Sequence, residues 1–89
     1  MNVVEVAANI ATIKETVKEL RVGSEGCNPT LEILRKFDEQ LAELIEVQVF
    51  IAILEGNTAE FVADAFSLTV RQVNGIHTRR RIMATLRNN

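Results

Sequence analysis

Two helix-start signals stand twelve residues apart in this chain of 89, Asn57-x-x-Glu60 and Thr69-x-x-Gln72, and they leave little freedom for what lies between them. Each has the form of a capping box, in which a side-chain oxygen accepts from the backbone N–H three residues on and a Glu or Gln reaches back. A helix opened by the first box must close within about two turns, because the second box opens another helix almost at once. The pattern predicts a short helix through about Phe66, a tight turn, and a final helix that can run to about Asn88. Gly56 stands where a C-terminal glycine would end the helix before them.

The chain upstream is helical in pattern too. Val3, Val6, Ile10, Ile13, Val17 and Leu20 follow one another at spacings of 3, 4, 3, 4 and 3, the seam of a helix with a 3.5-residue repeat. Residues 1–22 therefore read as an N-terminal helix whose seam must be covered, either by the rest of the same chain or by a second copy. Nearly three heptads of regularity favour the second copy, which makes this segment a candidate for dimerisation. Gly23, Ser24, Gly26, Asn28 and Pro29 break the helix, and Asn28-Pro29 reads as an N-cap followed by proline at the first helical position. Residues 28–55 then carry Leu31, Leu34, Phe37, Leu41, Leu44 and Ile45 on one face, running on through Val47, Phe50, Ile51 and Leu54, as one long helix or two joined by a bend. The later part is apolar nearly all round, so it is expected at the centre of the core. The expected fold is an all-α single domain of four or five helices.

Residues 57–88, and Ala59 to Arg81 in particular, meet the requirements of a helix-turn-helix. Ala63 supplies the small residue needed where the two helices cross at close range. Val62 and Phe66 flank it, Leu68 plugs the turn, Thr69 caps the second helix, and Val73 and Ile76 face inward. The turn residue that tends to a left-handed backbone is usually glycine; here it is Ser67. The stretch from Gly56 to Val73 resembles the DNA-binding segment of the plasmid KorA/TrfB-type repressors, through Gly56, Val62-Ala63, Leu68-Thr69, Val73 and Arg79. It is similar, more loosely, to region 4 of bacterial sigma factors and to LuxR-type domains. The resemblance covers about 30 of the 89 residues and implies a small autonomous repressor of the plasmid or phage kind.

Charge agrees with that expectation. Residues 1–64 hold all 12 acidic side chains and five basic ones, whereas residues 65–89 hold five arginines and no acid. Such a chain steers a polyanion to one end. On the last helix the outward positions at helical spacing are Val70, Arg71, Asn74, Gly75 and Thr78, the part of a recognition helix that enters the major groove. Arg71 can donate two hydrogen bonds to guanine and Asn74 can pair bidentately with adenine. Gly75 would let the helix approach base edges closely. Thr69 can cap the helix and touch a phosphate. Arg79, Arg80 and Arg81 point three ways around the helix, so at most two reach one DNA backbone, as positioning contacts. Ile82, Met83 and Leu86 beyond them are expected in the core or against a partner.

Other function classes find little support. One cysteine, Cys27, excludes an internal disulfide and points to a reducing cytoplasm. The densest apolar run, Val49 to Leu54, falls far short of the roughly 20 residues that cross a bilayer. His77 has no second His, Cys or Asp near it in sequence, and no phosphate loop or nucleophile constellation is present, so no enzyme activity, metal, cofactor or small-molecule ligand is expected. The expected partners are double-stranded DNA and a second copy of the chain, acting as a repressor on a palindromic operator with half-sites about 34–36 Å apart. The alternatives are a regulator that docks on the transcription machinery through its acidic helices, and an architectural DNA binder in packaging or replication.

Overall fold

A computed structural model describes residues 2–87, and among these it contains four helices and no strand: α1 (Val3–Gly23), α2 (Asn28–Leu54), α3 (Ala59–Phe66) and α4 (Val70–Arg87). The chain is an all-α domain measuring 43 × 31 × 22 Å. The expected end of the last helix at Asn88 lies outside the described residues. α2 is one unbroken helix of 27 residues, about 40 Å long at the usual rise. It forms the spine. α1, α3 and α4 all pack on it, α3 also touches α1 and α4, and α1 never meets α4.

Helix ends follow local chemistry, with two corrections to the sequence reading. Asn2 caps α1, its Oδ1 accepting from the Glu5 amide at 3.1 Å. α2 begins at Asn28, so Cys27, not Asn28, is the N-cap residue, and it supplies no side-chain cap bond to the helix amides. Gly56, at φ +98°, closes α2 in a paired arrangement: its N–H donates to the Ile53 carbonyl and the Asn57 N–H to the Ala52 carbonyl. The Asn57 side chain adds a bond to the same Ala52 carbonyl at 2.9 Å. Asn57 therefore finishes α2, and the residue that opens α3 is Thr58, whose Oγ1 accepts from the Phe61 amide. Both residues are good caps; the carbonyl freed at Gly56 takes Asn57.

The core sits where α2, α3 and α4 converge. Val49, Val62 and Val73 contribute one fully buried side chain from each helix, and Ala52, Ala63 and Ile76 close around them. Val3 joins this cluster from α1. The expected seam of α1 divides. Val3, Ile10 and Val17 are buried within the chain, Val6 is half-buried, and Ile13 and Leu20 are exposed. Ile10 and Val17 are thus core residues and cannot be the face that meets a second copy. α2 divides likewise: Leu34 and Leu41 are buried, while Phe37 and Leu44 from the same predicted face are each 42% exposed.

Candidate nucleic-acid interface

α3 and α4 are joined by the three residues Ser67, Leu68 and Thr69. Ser67 takes the left-handed conformation, φ 57° and ψ 41°, at the position where sequence expects it. The chain reverses there through two bonds, the Ser67 N–H to the Asp64 carbonyl at 3.3 Å and the Leu68 N–H to the Ala63 carbonyl at 2.8 Å. Leu68 and Phe66 pack against the core cluster, and Ala63 is 4% exposed, so a larger side chain at Ala63 would push the two helices apart. Thr69 and Gln72 then form a complete capping box. Thr69 Oγ1 accepts from the Gln72 amide at 3.0 Å, and Gln72 Oε1 accepts from the Thr69 amide at 2.8 Å.

Val73 and Ile76 fix the rotation of α4 by burying one side of it. The opposite side is set by the 3.6-residue period and carries Arg71, Asn74, Thr78 and Arg81, with Thr69 and Val70 exposed at its start. Arg71, Asn74, Thr78 and Arg81 are all exposed. No ion pair engages Arg71 or Arg81 among the described residues, and no carboxylate side chain lies on α4 itself. Gly75 is half-buried at the edge of this face. A methyl group added to it would meet Arg79 Nη1 at 3.6 Å, ordinary van der Waals separation.

The three consecutive arginines do not share a role. Arg80 turns inward: its side chain is 15% exposed, Nη2 lies 2.5 Å from Glu43 Oε1, and Nε lies 3.5 Å from Glu46 Oε1. The hydrogen bond to Glu43 is the first cause that holds its guanidinium pKa above the ordinary arginine value. Arg79 Nη2 reaches Glu46 Oε2 at 3.3 Å but its side chain stays 59% exposed. The sequence expectation that Arg80 is available to a phosphate is therefore corrected; α2 holds it. Sequence reasoning missed Glu43 and Glu46 as its partners. Their spacing of three residues on a helix was the available signal, but nothing in sequence says which helix lies opposite.

Two other expectations resolve here. His77 is half-buried and stacks on Phe50, ring centroids 5.8 Å apart and tilted by 34°, a packing role. Ile82, Met83 and Leu86, expected in the core or against a partner, are 54%, 46% and 71% exposed, so this chain's own core does not take them. No group of three or more metal-binding side chains occurs among the described residues, and no helix among them is long and apolar enough to cross a membrane. No protein-family model, curated protein or solved structure matches the chain.

Proposed function

We propose that this chain is a sequence-specific regulator of transcription that binds double-stranded DNA through α3 and α4, with α4 as the recognition helix and two copies acting on a palindromic operator as a repressor of the plasmid or phage kind. The observation that carries this reading is the outward face of α4. Thr69, Val70, Arg71, Asn74, Thr78 and Arg81 lie on one side of a helix whose other side is anchored by Val73 and Ile76. The face holds two arginines outside any intrachain ion pair among the described residues, an asparagine of the kind that reads adenine, and no acid. The left-handed turn at Ser67 and the closed capping box support it, since they hold the start of α4 rigidly against α3. Arg71 and Asn74 are assigned to base edges. Thr69, Arg79 and Arg81 are assigned to phosphates.

The reading is tested by fluorescence anisotropy with the duplex upstream of the protein's own gene and with a random duplex of equal length, across a salt series. The expected result is tighter binding to the first duplex, with affinity falling linearly on a log–log salt plot at a slope of about −0.9 per phosphate contacted. Absence of binding to either duplex at low salt overturns it.

A further inference from the structure

Beyond its core-facing side, α2 carries a second apolar seam. Ile33, Phe37, Gln40, Leu44, Val47, Ile51 and Leu54 follow at spacings of 4, 3, 4, 3, 4 and 3, a heptad repeat along the whole helix with one polar member. Ile33 is 67% exposed and Leu54 66%, so the fold leaves much of the seam uncovered. α1 adds a parallel stripe, Val6, Asn9, Ile13, Thr16 and Leu20. The two stripes meet in one groove, lined by Ile13, Thr16 and Leu20 from α1 and by Ile33 and Phe37 from α2. None of these twelve stripe positions bears a charge, in a chain where 25% of residues are charged.

We infer that this face is the interface between two copies of the chain, paired about a two-fold axis that passes beside Gln40. Three features select a second copy as the occupant. The first is area. Ile13, Leu20, Ile33, Phe37 and Leu44 are between 39% and 67% exposed, together an apolar patch on the order of 400 Å². That is about half of the roughly 800 Å² per partner that a specific dimer buries, and the uncharged positions between them supply further area. The second is charge. Lys36 and Glu43 flank the seam on one side, seven residues apart. An antiparallel pairing centred near residue 40 sets each Lys36 against the partner's Glu43, twice over, and Glu43 keeps 63% of its side chain exposed beside Arg80. The third is the polar position. Gln40 meets its own copy at the axis, where two side-chain amides satisfy each other, and a single polar residue in an apolar seam fixes register. Phe37 then packs on the partner's Leu44 and Ile33 on the partner's Val47.

The pairing is measured without DNA, so it stands or falls separately from the DNA-binding reading. Sedimentation equilibrium of the full chain at about 50 µM should give a dimer mass. Ile33→Glu with Phe37→Glu should give a monomer with unchanged helical circular dichroism, since both side chains point out of the core. Gln40→Cys in a Cys27→Ser background should form a covalent dimer on oxidation, and Glu39→Cys in that background should not. A monomeric wild-type chain, an unaltered dimer in the double-glutamate variant, or equal cross-linking at Gln40 and Glu39 each overturns the inference.

Discussion

The amide of Leu68 donates to the carbonyl of Ala63 at 2.8 Å, across a serine held at φ 57°. Through this bond a two-turn helix is followed by α4 after only three residues. The left-handed backbone costs a residue with a Cβ roughly 1–2 kcal/mol, and glycine avoids most of that cost. Ser67→Gly is therefore expected to stabilise the fold by about 0.5–1 kcal/mol, after the larger entropy that glycine gives the unfolded chain. For a domain of this size the melting midpoint should rise by roughly 2–8 °C. Ser67→Val should lower it. A lower midpoint for the glycine variant would mean that the left-handed turn is not what holds α3 against α4.

On the proposed reading, base readout rests on two side chains one helical turn apart. Arg71→Ala and Asn74→Ala should each weaken binding to the specific duplex by about 1–3 kcal/mol and leave random-duplex binding nearly unchanged. Both residues are exposed, so neither variant should melt lower than the wild type. Equal losses on both duplexes would move these residues from bases to phosphates.

The arginine cluster should divide by partner. Arg79→Ala and Arg81→Ala are expected to weaken binding to all duplexes and to flatten the salt dependence by about one unit each. Arg80→Ala should leave the salt slope alone and lower the melting midpoint, because Arg80 ties α4 to Glu43 and Glu46 on α2. If Arg79 contacts a phosphate, Glu46 competes with DNA for it, and Glu46→Gln removes that carboxylate. At the 0.2–1 kcal/mol of an exposed pair, affinity should rise between about 1.4-fold and fivefold. A salt slope that changes in the Arg80 variant and not in the Arg79 variant would reverse the assignment.

Much of this architecture was legible in the chain. The 3.5-residue spacing of Val3 to Leu20, the breakers at 23–29, Gly56 and the Thr69–Gln72 box locate all four helices to within a few residues, because periodicity and capping are local. Ser67 is identifiable as the left-handed position from the sequence, since its place in the turn fixes it. The choice between Asn57 and Thr58 as the cap was not legible. Two adjacent cap-forming residues compete, and the outcome depends on which carbonyls the end of α2 leaves free. Tertiary pairing was hidden in the same way. Val17 and Leu20 look alike in a seam, but one is 5% exposed and the other 53%, because α2 covers one flank of α1 and not the other. Arg80 reads as one basic residue among three until Glu43 and Glu46 stand opposite it. The exposed seam from Ile33 to Leu54 shares its helix with the core-facing one, and only burial separates the two.

Gly75 separates the needs of the fold from those of the proposed DNA-binding face. Glycine inside a helix costs about 0.8–1 kcal/mol relative to alanine. Neither backbone nor space requires it here: its φ is not in the left-handed region, and an added methyl would rest 3.6 Å from Arg79 Nη1. Gly75→Ala should therefore raise stability by about 0.5–1 kcal/mol, seen as a higher midpoint in thermal melts. If α4 enters the major groove with Arg71, Asn74 and Thr78 leading, position 75 lies at the margin of that face, where a methyl holds the helix back from base edges. Specific-duplex affinity should then fall by about tenfold, about 1.4 kcal/mol, in a protein that is more stable than the wild type. Random-duplex affinity should fall much less, since phosphate contacts tolerate a small displacement of the helix. A variant that melts higher and binds its specific duplex as tightly as the wild type would show that DNA never comes close to this edge of α4.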